Sequence, residues 1–157
     1  MRWLAILVLV LVPALAHAWP AGGVRVCGAA NDQLVPTVCG DGLQGAYVVW
    51  GDRREGPGTP GDVYLQHVTA AGEIAPGWPE NGRRIVADRV KRQIMPDGTG
   101  GAYLSLATVG SIADDDYYLL RFTAEGALAP GWPEGGVPVC LAPDDRYALR
   151  MVADAVG

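Results

Sequence analysis

The chain of 157 residues carries none of the short motifs that announce a familiar chemistry. It has no H-E-x-x-H pair to hold a catalytic zinc, no phosphate loop, and no Rossmann dinucleotide fingerprint. Histidine is nearly missing: His17 falls in an N-terminal apolar leader, and His67 occupies a position that aligns internally with Arg121, so a polar, exposed slot is expected there rather than a catalytic one. Ser105 and Ser111 have neither a nearby base nor the glycines of a nucleophile elbow. The alternating D-x-D-x-D-G spacing of a calcium loop is absent too. Asp114, Asp115 and Asp116 are consecutive, and neighbours in an extended chain point to alternate sides, so a solvated acidic loop is expected rather than a metal site. No cofactor is expected. Basic residues are scarce, 12 against 17 acidic for a formal charge of −5, and cluster only at Arg83-Arg84 and from Arg89 to Arg92. Such a balance argues against nucleic acid or anionic lipid as partner, since both are bound mainly by grouped Lys and Arg.

Long apolar runs are also lacking, with one exception at the start. Met1 and Arg2 precede an apolar stretch from Trp3 to Leu15 broken only at Pro13, and Ala16-His17-Ala18 forms a small-x-small cleavage site. This is the pattern of a secretory signal peptide over residues 1–18. An uncleaved anchor is the alternative, but the run falls short of the ~20 apolar residues that cross a bilayer. Lipidation at Cys27 is disfavoured by Arg25 in the box before it. The mature chain is expected to begin at Trp19, to work outside a bacterial cytoplasm or in the cell envelope, and to contain no membrane span.

What the chain has in abundance is turns and repetition. Gly 22 and Pro 12, with a single Phe, suit many short segments joined by turns, the pattern of an all-β protein. Thr69 to Val86 aligns with Thr123 to Cys140 at an offset of 54, matching at 10 of 18 positions around a shared APGWPE phrase. Asp41 to Tyr47 aligns with Asp97 to Tyr103 at an offset of 56. Partial copies flank these: Trp19 to Cys27 resembles Trp132 to Cys140, and Asp154 to Gly157 falls where Asp97 to Gly100 would recur. Internal repetition at such a period points to an array. Each unit reads as four strands, exemplified by Arg92 to Met95, Ala102 to Thr108, Asp116 to Phe122 and a short strand around Ala127 to Ala129, with pairing able to resume from Gly136 to Cys140. Apolar residues on both faces, as in Tyr47-Val48-Val49-Trp50, call for sheets covered on both sides.

The resulting fold class is all-β: two four-stranded antiparallel repeats of a β-propeller-like array, with a β-solenoid or stacked sandwich as the rival. Pro76-Gly77 and Pro130-Gly131 are expected to turn the chain, while Trp78 and Trp132 fill the gap between successive sheets. Because the second hairpin pairing is cut short at Gly157, the chain is expected to be the N-terminal part of a longer array, or to close a ring with other chains. Cys27 and Cys39 are the expected disulfide, which would leave Cys140 over; three reduced cysteines are the other reading.

The stretch Trp50-Gly51-Asp52-Arg53-Arg54-Glu55-Gly56, followed by Asp62-Val63-Tyr64-Leu65-Gln66 and Ala71-Gly72, resembles the W-x-D-x-R-x-G…D-[IV]-Y-x-Q…G repeat of large secreted bacterial proteins. Those repeats follow a D-G-x-G-G-A turn, which Asp97 to Ala102 matches and Asp41 to Ala46 matches except at Gln44. The resemblance implies propeller-like blades and no particular activity. This chain departs from it by extra Pro and Gly between Gly56 and Asp62, and by Leu106, Thr108 and Gly110 where the second unit would carry Trp, Asp and Arg.

Two roles suit the motif. Asp52 can pair with Arg54 or cap a turn, and Asp62 can accept backbone N–H bonds at a strand start. Alternatively the loops around Asp52, Arg54 and Asp62, and around Asp114, Asp115 and Asp116, bind a protein or carbohydrate ligand from one face of a rigid frame. The function expected is therefore a secreted, non-catalytic binding or scaffold module. The alternative is the scaffold end of an extracellular hydrolase whose catalytic residues lie beyond residue 157, since a propeller can bring paired carboxylates together at its axis.

Overall fold

The structure is a computed structural model and describes residues 19–56, 61–108, 116–141 and 149–153, apart from the side chain of Arg92. The leader, the acidic pair Asp114 and Asp115, Gly110 and the last four residues lie outside the described residues. Eight strands run in chain order: β1 (Gln33–Gly40), β2 (Ala46–Asp52), β3 (Asp62–Val68), β4 (Arg83–Val86), β5 (Arg89–Pro96), β6 (Ala102–Thr108), β7 (Tyr117–Phe122) and β8 (Val137–Cys140). They form two open, antiparallel, four-stranded sheets, A in the order β1-β2-β3-β4 and B in the order β5-β6-β7-β8. No helix occurs among the described residues, and no sheet closes on itself.

The hairpin turns follow from their aspartates and glycines. Asp41 Oδ1 accepts the amides of Leu43 (2.6 Å) and Gly45 (2.9 Å), and Asp97 Oδ1 accepts those of Thr99 (2.8 Å) and Gly101 (2.9 Å). A side-chain oxygen thereby takes up donors that the tight turn leaves unpaired. Gly101 is obligatory by close approach, because a Cβ there would collide with the carbonyl oxygen of Phe122.

Alternation along β2 and β3 sends Tyr47, Val49, Val63 and Leu65 to one face of sheet A. That front face packs on Ile94, Ala102, Leu104, Leu106, Leu120 and Phe122 of sheet B, so a single core lies between the sheets. The opposite, rear face of sheet A carries Trp50, Tyr64 and Gln66, of which Gln66 is fully buried. The segment from Trp19 to Gly28 lies over it. Gln66 Nε2 donates to Val26 O (3.4 Å) and Pro79 O (2.7 Å), and the Gly28 amide donates to Asn81 Oδ1 (2.7 Å). Both faces of sheet A are thus covered, as its two-sided apolar strands require.

Trp78 is the joint between the sheets. It leaves sheet A, is 8% exposed, and donates its Nε1–H to Ala124 O (3.3 Å) in the turn from Thr123 to Gly126. Gly126 sits under the ring, where a Cβ would come within 2.5 Å of it. Tyr47 adds a second link, its hydroxyl donating to Gly100 O (2.6 Å). At the aligned turn of sheet A, a Cβ on Gly72 would meet Pro20 Cδ (2.8 Å) and Val24 Cγ2 (3.2 Å), so the N-terminal copy of the phrase packs where Trp78 packs on sheet B.

Four expectations need correction. The fourth strand of sheet B is Val137–Cys140, because the returning segment at Ala127 to Ala129 makes only one bridge, Phe122 to Leu128, before Pro130 ends it. Trp132 does not fill a gap between described sheets; it is half-buried beside Tyr103, with ring centres 5.9 Å apart. Cys27 and Cys39 are not bridged: Cys39 is in β1 opposite Tyr47, while Cys27 Sγ lies 3.8 Å from Asn81 O at the rear face. His67 is not an exposed slot, its side chain being 12% accessible and its ring stacked on Tyr47 at 4.3 Å.

Candidate functional site

The W-x-D-x-R stretch folds into a closed clasp at the end of β2. Trp50 Nε1 donates to Asp52 Oδ2 (2.7 Å). Arg54 grips the same carboxylate with Nε on Oδ1 (2.8 Å) and Nη2 on Oδ2 (2.7 Å), while its amide donates to Oδ1 (2.9 Å). This two-pronged fork is the strong form of an Arg–carboxylate contact. The guanidinium lies 3.7 Å above the centre of the Tyr64 ring and also donates to Asn81 O (2.9 Å). Burial pushes the Asp52 carboxyl up, but the bonds from Arg54, Trp50 and the Arg54 amide outweigh it and hold Asp52 below the usual carboxylate range. The Trp50 Nε1–H, the Asp52 carboxylate and the Arg54 Nε and Nη2 are therefore all engaged inside the chain.

Asp62 stands opposite Asp52 in the β2–β3 register. It pairs with Arg84 Nε at 2.6 Å, in place of the backbone capping expected for it, and Arg84 is half exposed. A small cleft of about 210 Å³ is lined by Asp52, Arg54, Glu55, Asp62, Arg84 and Asp88. The structure thus gathers three of the expected loop residues, Asp52, Arg54 and Asp62. It does not bring Asp116 to them: Asp116 lies just before β7 of sheet B, exchanging backbone bonds of 3.1 Å with the Thr108 amide and hydroxyl.

A second pair of charged sites escapes sequence reasoning. Asp41 Oδ2 bonds His67 Nε2 (2.9 Å) across β2, and Asp97 Oδ2 bonds Arg121 Nε (2.8 Å) across β6. Burial raises both carboxyls, yet the His67 bond and turn amides for Asp41, and the Thr99 amide and Arg121 for Asp97, hold them below the usual range. Tyr47 beside them is pushed up to about 12 by burial and then by Asp41 and Asp97. The aligned spacing of Asp41 with His67 and Asp97 with Arg121 was the available signal. It becomes legible only when the strand register is known.

Among the described residues, no three His, Cys, Asp or Glu side chains converge where a metal ion could sit. No helix among them is long and apolar enough to cross a membrane. No protein family, curated protein or solved structure matches the chain.

Proposed function

We propose that this chain is a non-catalytic binding and scaffold module, exported to the bacterial envelope or beyond, whose two sheets are successive blades of a β-propeller-like array. The observation that carries the proposal is the joint. Tyr47 and Trp78 of sheet A reach into the Gly100 and Ala124 turns of sheet B, and the Trp19 to Val24 segment meets the aligned Gly72 turn of sheet A. Such nearest-neighbour packing is how repeat arrays grow. The charged residues support a scaffold, because Asp52, Arg54, Asp41 and Asp97 are held by bonds within the chain.

The test is expression of the whole chain in a bacterial host, followed by fractionation and N-terminal sequencing. Cleavage before Trp19 and recovery outside the cytoplasm are expected. Recovery from the cytoplasm with Met1 intact would overturn export. Turnover of a glycan or peptide substrate by the purified chain, abolished by a point variant of its own residues, would overturn the non-catalytic assignment.

A further inference from the structure

Three arginines of this acidic chain, Arg83, Arg84 and Arg89, line one groove. This groove of about 610 Å³ runs between β4, with the link that follows it, and the turn region of sheet B. Arg83, Arg84 and Arg89 line it along with a single acid, Glu134, so the groove is two units positive on a chain of formal charge −5. Arg84 is partly spent on Asp62, but Arg83 and Arg89 have no carboxylate partner among the described residues. Arg83 donates to Gly77 O (3.3 Å) and Arg89 to Asp88 O (3.1 Å), and the Nε–H of each is buried with no acceptor. Buried donors are rarely left so, and a guanidinium fork is shaped for a carboxylate.

Ile85, Phe122 and Leu128 contribute apolar surface to the groove lining. Its wall β4 is an edge strand, paired with β3 on one side only. An unpaired edge offers main-chain donors and acceptors to another extended chain. Sugars, by contrast, favour open aromatic faces to stack on. Here Phe122 is 3% exposed, while the Trp78 and Tyr118 rings lie beneath the Arg83 and Arg89 guanidiniums at 5.7 and 5.3 Å.

We infer that this groove binds an extended acidic peptide, which adds to the outer edge of β4, sets apolar side chains on Ile85 and Leu128, and places carboxylates on Arg83 and Arg89. The inference rests on the reading of the chain as a binding module and gives that module a partner class. Glu134 fixes where along the groove a carboxylate is unwelcome, and so sets the register of the bound strand.

The experiment is fluorescence anisotropy with the whole mature chain and a fluorescein-labelled hexapeptide of alternating glutamate and valine. Binding that weakens with added salt is expected. Arg83→Gln and Arg89→Gln should each weaken it at least about tenfold, the worth of one charge-assisted bond, with melting temperature as the folding control. Two hexapeptides N-methylated at alternate residues, one odd and one even, test edge pairing without touching the protein. One of the two should lose binding at least about tenfold, because one edge of the peptide must donate to β4. Equal binding of both methylated peptides, equal binding of a lysine-for-glutamate peptide, or tighter binding of an oligogalacturonate would each overturn the inference. So would no binding by a folded chain, an outcome that leaves the export and joint tests of the scaffold reading untouched.

Discussion

Replacing Trp78 with alanine should uncouple the two sheets. A tryptophan ring buries about 150–250 Å², and at ~25 cal/mol/Å² that transfer is worth ~4–6 kcal/mol as an upper figure. Large-to-small changes of this kind cost ~3–5 kcal/mol in practice. The lost hydrogen bond adds to this, since the single Tyr47 hydroxyl proton is given to Gly100 O (2.6 Å) and Ala124 O lies 3.5 Å from that oxygen. A loss of about 4 kcal/mol corresponds to roughly 8–16 °C in Tm for a chain of this size. Trp132→Ala is the internal control, because that ring is half-buried and has no described sheet beyond it, so about 1 kcal/mol is expected. Gly126→Ala tests the same contact from the other side: its Cβ would meet the Trp78 ring at 2.5 Å, at a backbone φ of 74°. In the double variant the space vacated by Trp78 admits the new methyl, so the two losses should sum to less than their separate values by ~1 kcal/mol or more. Urea unfolding followed by circular dichroism measures the four variants against the unsubstituted chain. A Trp78→Ala loss no larger than that of Trp132→Ala, or strict additivity with Gly126→Ala, would refute the joint.

Three further outcomes are expected. Asp52→Asn should cost about 2–4 kcal/mol in urea unfolding, because it leaves Arg54 and the Trp50 Nε1–H facing a partner that cannot satisfy both, while Asp52→Asn with Arg54→Gln should cost less than the sum of the single changes. Asp41, Asp52 and Asp97 all have folded-state pKa values below their unfolded ones, so their stabilisation is complete above the unfolded carboxylate value of about 3.9 and is lost as pH falls through the folded values; unfolding free energy should decline in acid, less steeply in Asp97→Asn, whereas flat stability from pH 6 to pH 3 would contradict the turn geometry. The Cys39 thiol, pushed up to about 11 by burial and by Asp41, should resist iodoacetamide below pH 9 in the folded chain, and a mass shift of two hydrogens on reduction, mapped to Cys27 and Cys39, would contradict the separation of these thiols.

The all-β class and the antiparallel sheets were legible because their determinants are local. Asp97-Gly98 sets a hairpin by its own side-chain and backbone chemistry, and the two-sided apolar character of Tyr47 to Trp50 demands cover whatever supplies it. The fourth strand was legible only in part, since the sequence places it around Ala127 to Ala129 and only lets pairing resume from Gly136 to Cys140. Thr123 to Gly126 turns the chain back as a hairpin turn would, but β8 pairs with β7 across a register shift only after Pro130 and Gly131 have re-aimed the chain. Partners joined across strands were missed for the same reason: Asp62 with Arg84 and Asp41 with His67 meet only once β3 is placed between its neighbours. Asp52 and Arg54, two residues apart, could be paired by inspection.

The loss of the W-x-D-x-R pattern from the second unit has a physical cause in what each rear face meets. In sheet A that face is covered by the irregular segment from Trp19 to Gly28, whose carbonyls, like those of the loop at Asn81, need donors. Arg54 and Gln66 supply them, and Asp52 with Trp50 holds Arg54 in place. In sheet B the aligned face meets the apolar front of sheet A, where a charged clasp would be stripped of water and left short of acceptors. Leu106 and Leu120 stand at the positions aligned with Trp50 and Gln66, and both are fully buried in the shared core. Where β6 leads toward β7, Thr108 exchanges bonds of 3.1 Å with the Asp116 backbone. The motif therefore tracks the chemistry of its neighbour: polar where irregular backbone lies against the sheet, apolar where another sheet does. A binding site repeated in every unit would have kept its charges in both.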